Sequence, residues 1–178
     1  MEAKNDIKIC EKALVCCEYT TLTGDILIGP KTVIHPTAKI LANKGKIVIG
    51  DSNLIEEYVT IINDHDEPMV IGSQNIFEVG CYVESKQIGN NNVLESKCRV
   101  SRNFLISNNC IIGAKCVMNI DEQLANNTVI YGPECKRRIQ KEKPAAQLLQ
   151  IDFLSKIIPN YELISKPNFD SKTNDYLK

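Results

Sequence analysis

The chain has 178 residues, of which 43% are hydrophobic, and its formal net charge is -1. This content can bury the core of one domain with an appendage, and the small charge gives no general attraction for nucleic acid or an anionic membrane. No apolar run is long enough to span a bilayer, and the first six residues lack a signal-peptide core. We therefore expect a soluble, cytoplasmic protein that neither binds nucleic acid nor inserts into a membrane.

Aliphatic residues recur at six-residue spacing through most of the chain, starting near residue 7. With one extra residue near Tyr19, the first two sets are Ile9, Val15, Leu22, Ile28, Ile34 and Ile40. A fixed period of six fits neither a helix, at about 3.6, nor a strand, at about 2. It is typical of a hexapeptide solenoid, in which three strand-and-corner units complete one triangular rung. We therefore predict an all-β solenoid over residues 1–132.

Two insertions interrupt the period in the first half of the chain. The aliphatic series restarts after extra residues at 43–45, and again after an acidic loop at 63–68 that carries His65. Extra residues of this kind can loop out of a corner without unwinding the coil. The rungs on either side of each insertion are therefore predicted to stay in line.

A short string occurs three times at the same place in the rung. Its copies run from Asn53 to Glu56, from Asn75 to Glu78 and from Asn92 to Glu95. The asparagines are predicted to form an inward ladder of hydrogen-bonded amides at one corner. The glutamates should form an outward ladder, in which stacked carboxylates repel one another. Either solvent and nearby cations screen this charge or a basic partner lies across it, so the three glutamates are candidate partner-binding residues.

Residues 88–132 keep the period without a slip. Eight aliphatic residues, from Ile88 to Ile130, stand six apart, and four positions after each comes a column of mostly small residues. A small side chain fits the converging walls of a corner. The larger Phe104 and Glu122 stand in the same column, and we interpret each as one distorted corner.

Four of the eight cysteines also belong to the small inward column, namely Cys81, Cys98, Cys110 and Cys116. The first, second and fourth of them would stack on successive rungs, about 4.8 Å apart. We interpret them as small hydrophobes packed in a compartment that keeps thiols reduced. A disulfide between neighbouring rungs is the alternative, since the distance alone allows it.

Residues 133–160 are predicted to form a basic connector and a C-terminal amphipathic helix. The helix would begin at Pro144, run for about four turns and end at Pro159. Its apolar residues are Leu148, Ile151, Leu154, Ile157 and Ile158. They should cover an aliphatic stripe on the outside of the coil, consisting of Val33, Leu54, Ile76, Val93, Ile111 and Val129. The polar residues 161–178 are expected to form a disordered tail.

The two histidines bear on two classes of enzyme that use hexapeptide coils. A gamma-class carbonic anhydrase needs three histidines from neighbouring rungs to bind zinc, and this chain has only His35 and His65. A hexapeptide acyltransferase needs a general base beside an apolar channel, and His65, between Asp64 and Asp66, is the one candidate. Because a mobile acidic loop also accounts for these residues, we predict no catalytic, cofactor-binding or metal-binding residue.

Six stretches of the chain resemble the dynactin subunit 6 family. They are residues 28–36, 53–57, 77–82, 127–132, 149–154 and 158–161. The resemblance extends over about residues 7–161 and implies a left-handed parallel β-helix with a helix packed along one face. It also implies a non-catalytic subunit of the dynactin pointed-end complex, which supports dynein-driven transport and cargo attachment on microtubules. The implied partners are dynactin subunit 5, which is a related β-helix, the p62-type subunit and the pointed-end actin-related protein.

The two ends of a solenoid expose strands whose backbone groups lack a partner. The first rung, marked by Ile9, Val15 and Leu22, follows only a few polar residues, too few to cap three strand edges. We therefore predict that the related β-helix subunit stacks on the amino-terminal end by strand addition. This makes the same three residues candidates for partner binding, together with Glu56 and its ladder.

Overall fold

A computed structural model describes residues 5–145, 147–160 and 163–169. The chain winds into a left-handed parallel β-helix of about seven rungs, which confirms the predicted all-β solenoid. Short strands alternate with corners, and every third strand pairs in parallel with the one a rung away, so that three sheets form the three walls. In the described part of the chain, one α-helix follows the coil.

Each wall is a ladder of very short strands. The first sheet contains β1 (Asp6–Ile9), β4 (Asp25–Ile28), β7 (Ile47–Ile49), β10 (Met69–Ile71), β13 (Gln87–Ile88), β16 (Phe104–Ile106) and β19 (Glu122–Leu124). The second sheet contains β2 (Leu14–Val15), β5 (Val33–Ile34), β8 (Leu54–Ile55), β11 (Ile76–Phe77), β14 (Val93–Leu94), β17 (Ile111–Ile112), β20 (Thr128–Tyr131) and β21 (Lys136–Ile139). The third sheet contains β3 (Thr21–Thr23), β6 (Lys39–Ala42), β9 (Thr60–Asn63), β12 (Tyr82–Val83), β15 (Arg99–Val100) and β18 (Val117–Met118).

The core follows the predicted six-residue register. Ile9 lies opposite Ile28 in the next rung, and Val15 lies opposite Ile34, in spite of the extra residue near Tyr19. Side chains alternate across a strand, so every second residue points into the coil. From the second rung to the last, the inward residues of the second sheet have no solvent exposure, and they are Ile34, Ile55, Phe77, Leu94, Ile112 and Ile130. Each such side chain stabilises the fold by roughly 1.5–3 kcal/mol relative to an exposed one.

Phe104 and Glu122, the two large residues of the small column, lie opposite each other on β16 and β19. Phe104 is fully buried. Its neighbour in the preceding rung is the small residue Ser85, whose hydroxyl donates to the Phe104 carbonyl at 2.7 Å. Glu122 stands on the last strand of its sheet and pairs with Arg137. The large Phe104 side chain is therefore accommodated beside a small serine, and the charged Glu122 is accommodated at the end of the coil.

Two of the three corners turn through a residue with left-handed backbone. Between the first and second sheets these residues are Lys12, Lys31, Ser52, Gln74, Asn91, Asn109 and Asn127. Between the second and third sheets they are Tyr19, Thr37, Tyr58, Gly80, Lys97 and Lys115. Asparagine tolerates this conformation better than most residues other than glycine. The predicted insertions at 43–45 and 63–68 both fall at the third corner, between the third and first sheets, so they loop out without disturbing the repeating turns.

The helix α1 spans Leu148–Ile157 and continues as a 3-10 turn, Ile158–Asn160. The predicted start at Pro144 was therefore wrong by four residues, and the helix has ten residues rather than four turns. Gln147, the residue before it, makes no side-chain capping bond. No helix among the described residues has the length and apolar content needed to cross a membrane.

The predicted seat of α1 on the outward stripe is confirmed, but it lies nearer the amino-terminal end than expected. Ile151 and Ile158 are buried against Val33, Leu54 and Ile76, with Leu154 and Val93 packed at the edge of the same cluster. Leu148 was expected in this contact and is instead 42% exposed. Because a ten-residue helix is only about 15 Å long, it covers about three rungs and does not reach Ile111.

The basic segment expected to be a solvated connector forms a strand. It is β21, which is exposed along its length and pairs antiparallel with β20. The chain reverses between them through Gly132 and Cys135, both with left-handed backbone, and the Cys135 N–H donates to the Gly132 carbonyl at 3.0 Å. The hairpin therefore covers the last open edge of the second sheet.

Candidate partner-binding surfaces

The asparagine ladder is present and is entirely internal. Asn53, Asn75 and Asn92 have no solvent exposure. The Asn75 N–H donates to the Asn53 side-chain oxygen at 2.9 Å, and the Asn92 N–H donates to that of Asn75 at the same distance. The Asn53 side-chain amide in turn donates to the Gly72 carbonyl of the next rung at 2.9 Å. Since buried amides are costly unless they are paired, this ladder stabilises a corner and offers nothing to a partner.

The glutamate ladder also has a role within the coil. Glu56 accepts a hydrogen bond from the Val79 N–H at 3.1 Å. Glu78 accepts from the N–H and the hydroxyl of Ser96, each at 2.9 Å. Each carboxylate thus satisfies a corner N–H of the following rung, a charge-assisted contact stronger than a neutral one.

Glu95 continues the pattern by accepting from the Ala114 N–H at 2.9 Å. Neither solvent screening nor a basic partner is needed to explain why the three glutamates recur. Burial raises the pKa of Glu56, and repulsion from Glu78 adds to the effect, while the Val79 N–H and His35 oppose it.

The amino-terminal candidates face inward. Ile9 is 4% exposed and Val15 is 1% exposed. Leu22 is only partly buried and packs against the same core. A partner at this end could therefore meet the edges of β1, β2 and β3, but the Ile9 and Val15 side chains are already inside the coil.

The expectation that nothing in the chain caps this end was wrong for two of the three strands. The Cys17 N–H donates to the Leu163 carbonyl at 2.7 Å, and the Ser165 N–H donates to the Val15 carbonyl at 3.0 Å, both beside β2. Ile164 packs at the edge of the cluster beneath α1. Part of the segment predicted as a disordered tail therefore lies along the first rung.

Asn168 makes the equivalent contact beside β1. Its side-chain oxygen accepts from the Ile9 N–H at 2.6 Å, and its side-chain nitrogen donates to the Ile7 carbonyl at 2.8 Å. The N–H of Phe169 donates to the Ile9 carbonyl at 3.0 Å. The disorder predicted for residues 161–178 thus does not hold for 163–169, while 161–162 and 170–178 lie outside the described residues. The signal in the sequence was the apolar Ile164 and Phe169 within a polar segment.

At the carboxyl-terminal end, β21 covers the edge of the second sheet only. Arg137 lies opposite the inward-facing Ile130, so its side chain extends over the end of the core. Its guanidinium donates to both carboxylate oxygens of Glu122, at 2.5 and 2.7 Å. This ion pair joins the second sheet to the first and raises the pKa of Arg137. The single acid in the small column was the sequence signal that we did not connect to the basic segment.

The two histidines do not form a shared site. His35 pairs with Glu57, its Nδ1 lying 3.0 Å from the carboxylate, while its Nε2 is buried without a protein partner. His65 is exposed in the acidic loop, where its N–H donates to the Asn63 side-chain oxygen at 3.2 Å. No cluster of three metal-ligating side chains occurs in the part of the chain that the structure describes.

The stacked cysteines are thiols packed in the core. The Cys98 thiol donates to the Cys81 sulfur at 3.6 Å, and neither residue is in a disulfide. The pKa of Cys98 is raised by its hydrogen bond to Cys81 and by burial. Burial and the neighbouring Cys135 raise the pKa of Cys116 to about 11. Since the reactive form of cysteine is the thiolate, this column favours the packing interpretation over a nucleophile or a metal ligand.

Comparison with solved structures agrees with the fold. A hexapeptide transferase family protein from Anaplasma phagocytophilum superimposes with a TM-score of 0.61, covering 86% of this chain and 93% of that one. The two sequences are only 17% identical, so the likeness is one of fold alone.

Comparison with known sequences is far more specific, although no family model matches the chain. Dynactin subunit 6 of Xenopus tropicalis is 47% identical over 172 residues, which cover 90% of this chain and 85% of the relative. The same subunit of Danio rerio is 46% identical, with 92% and 89% coverage, and that of Nematostella vectensis is 48% identical, with 85% and 89% coverage. Identity at this level along almost the whole length shows that the chain belongs to the dynactin subunit 6 family.

Proposed function

We propose that this chain is a non-catalytic structural subunit of dynactin, located in its pointed-end subcomplex. Its role is to support dynein-driven transport and cargo attachment, and its place is the cytoplasm, on dynactin bound to the microtubule cytoskeleton. The observation that carries the proposal is the identity of 46–48% to proteins named Dynactin subunit 6. The interior supports it, because buried asparagines, glutamate contacts and protonated thiols are all used in holding the rungs together.

The proposed neighbours are dynactin subunit 5, the p62-type subunit and the pointed-end actin-related protein. End-to-end stacking with a second β-helix remains the most economical contact, because it pairs strand edges on both proteins. At the amino-terminal end, near Ile9, Val15 and Leu22, such stacking requires displacement of residues 163–169 from β1 and β2. A contact on the glutamate face would use the carboxylate oxygens of Glu56, Glu78 and Glu95 that are not bonded to the next rung.

The alternative to this proposal is a hexapeptide acyltransferase. The solved structure with a TM-score of 0.61 is named as a hexapeptide transferase family protein. A general base would have to be His65, whose loop is exposed, or His35, which is held by Glu57. Protection of the chain against heat by an acyl-CoA would support this candidate. For a metal-dependent hydratase of the carbonic anhydrase type, two histidines are too few for the zinc site.

The direct test is affinity purification of the tagged chain from cells, with mass spectrometry and sedimentation of the bound proteins. The proposal predicts comigration with a large assembly that contains actin-related protein and the other dynactin subunits. A chain that sediments alone under conditions where dynactin is intact would overturn it. Binding of acyl-CoA without dynactin would favour the transferase.

A further inference from the structure

The backbone of the last rung presents hydrogen-bond donors that have no partner strand beyond them in the described part of the chain. In inner rungs, outward residues donate their N–H to the following rung, as Val70 does to the Lys86 carbonyl at 2.9 Å and Arg99 does to the Cys116 carbonyl at 2.9 Å. The equivalent N–H groups of the last rung belong to Val117, Asn119 and Gln123. None of them donates to a carbonyl of the described residues.

These donors lie along β18 and β19, the final strands of the third and first sheets. The hairpin β20–β21 covers only the second sheet, so the other two walls end in open edges. Every residue from 104 to 145 is described, and no strand within the described chain lies beyond these edges. The edge of a sheet presents unpaired N–H and C=O groups that can pair with another chain, so two adjacent open edges can accept an added strand.

The side chains around these edges indicate what kind of strand would fit. Val117 and Ile120 are each 50% exposed, and Ile139 is 65% exposed. A groove of about 280 Å³ lies beside β19, between Leu124 and Arg138. An incoming segment therefore meets apolar side chains along the edge, and burying them would stabilise the complex.

The charge in the groove favours an acidic segment. Of its two arginines, Arg137 is already bonded to both oxygens of Glu122. Arg138 lies opposite the outward Val129, lines the groove and makes no ion pair with any described residue. A carboxylate on the incoming strand could pair with Arg138 through two parallel hydrogen bonds. A second copy of this chain would bring the same arginine to the edge, which disfavours self-association there.

We propose that the open edges of β18 and β19 are a docking site for an extended segment of another protein, with alternating apolar and acidic side chains. The segment adds as a strand by accepting hydrogen bonds from the last-rung N–H groups, and its carboxylate pairs with Arg138. This inference rests on the proposed role as an assembly subunit and deepens it, because it assigns the contact to the end of the coil opposite residues 163–169.

The test uses the full chain and a fluorescein-labelled nine-residue peptide of alternating valine and glutamate, with binding followed by fluorescence anisotropy. Gln123→Pro removes one open N–H without breaking an existing hydrogen bond, and edge strands tolerate proline on their solvent side. Arg138→Glu reverses the free charge. Each variant should weaken binding by about tenfold or more, a loss of one good charge-assisted or backbone contact. The control is Lys39→Glu, an exposed cation on β6, which should bind within about twofold of wild type.

Two altered peptides separate the parts of the proposal. Replacing glutamate by lysine should abolish binding if charge is recognised, and a proline at the centre of the peptide should abolish it if a strand is added. Circular dichroism and size-exclusion chromatography check that each variant is folded. Absence of binding, equal binding of the lysine peptide, or unchanged binding to Gln123→Pro would each overturn the proposal. So would self-association that Gln123→Pro abolishes, since the occupant would then be a second copy.

Recovery of dynactin with the tagged variants distinguishes this inference from the proposed function. If wild type, Gln123→Pro and Arg138→Glu recover dynactin equally, the function stands and this surface is wrong. If wild type binds the peptide but recovers no dynactin, the surface stands and the proposed function is wrong.

Discussion

The two ends of this solenoid are each covered in part, and by opposite means. At the carboxyl-terminal end the chain turns back on itself at once, and β21 covers β20 through a four-residue reversal. At the amino-terminal end the cover comes from residues 163–169, about 150 positions further along the chain. Local closure costs little chain entropy, whereas the entropy cost of long-range closure must be offset by the contacts that it makes. The amino-terminal cap therefore depends more strongly on its side-chain and backbone contacts than the carboxyl-terminal hairpin does.

The amino-terminal cap, residues 163–169, depends on the packing of α1. Ile164 packs at the edge of the cluster formed by Ile151, Ile158 and Val33, so docking of α1 delivers the following segment to the first rung. A change that loosens α1 should also release the cap. The carboxyl-terminal hairpin has no such dependence, but it covers only one of the three walls.

We expect the largest loss of stability from a substitution in the middle of the coil, away from both ends. Ile112→Asp places an unpaired carboxylate in a position with no solvent exposure, which costs several kcal/mol, comparable to the whole stability of a typical domain. We expect loss of the cooperative unfolding transition, measured by circular dichroism in urea. The matched control is Val117→Asp on the half-exposed outer face of β18, which should change stability by about 0.5 kcal/mol or less. A soluble Ile112→Asp variant with cooperative unfolding would contradict the register.

The second prediction concerns removal of the cap at the amino-terminal end. A chain that stops after Asn160 lacks the segment bonded to β1 and β2, and each lost hydrogen bond contributes about 0.5–1.5 kcal/mol. We expect the free energy of unfolding to fall by roughly 3 kcal/mol. The two exposed edges should also make the chain associate as its concentration rises, which light scattering after size-exclusion chromatography would measure.

A point variant sharpens the same prediction. Asn168→Ala removes the two side-chain bonds to Ile9 and Ile7 and should cost about 1–2 kcal/mol. Asn160→Ala, which removes only a local bond to the Lys156 carbonyl, is the control and should have a smaller effect. If the truncated chain stayed monomeric and as stable as the full chain, the cap would have no role in closing this end.

The sequence predicted the middle of the molecule far better than its ends. An inward residue such as Ile112 makes a contact that recurs in every rung, so an extra residue at one position does not hide the six-residue pattern. The asparagine ladder was predictable for the same reason, because its strings recur in phase. The contacts of the glutamates were not, because the group that each of Glu56, Glu78 and Glu95 shares as its partner is a backbone N–H, which leaves no trace in the sequence.

The ends could not be predicted from periodicity, since each contact there occurs once. Arg137 and Glu122 are 15 residues apart, and Arg137 lies outside the six-residue repeat. Asn168 reaches Ile9 from the far end of the chain, and a polar segment of this composition is usually disordered. Only the packing of α1 brings that segment to the first rung.

The third prediction concerns the carboxyl-terminal end and is smaller. Arg137→Ala removes the bidentate pair with Glu122, but both side chains are partly in solvent, so the loss should be about 1 kcal/mol or less. The backbone bonds of the β20–β21 hairpin remain, and the variant should stay monomeric at concentrations where the chain shortened to Asn160 associates. Arg138→Ala, which breaks no ion pair among the described residues, is the control and should leave the urea midpoint unchanged. Association of Arg137→Ala would mean that the cover of the second sheet at this end depends on this one ion pair.

We expect the smallest change in stability from the glutamate ladder, at Glu56, which lies in the half of the coil beneath α1. Burial, and then repulsion from Glu78, raise the pKa of Glu56 above its usual 4.5, so the folded chain binds this proton more tightly than the unfolded chain does. Its contribution to stability is therefore fully present below about pH 4.5 and is lost as the pH rises through the folded value. Glu56→Gln cannot titrate and can still accept from the Val79 N–H, so the variant should gain stability relative to wild type as the pH rises from 4.5 to 7.5. Urea unfolding of both proteins across this range measures the difference, in which the titration of all other groups cancels to first order. A difference that is flat, or that falls with rising pH, would show that the hydrogen bond from Val79 outweighs burial at this position.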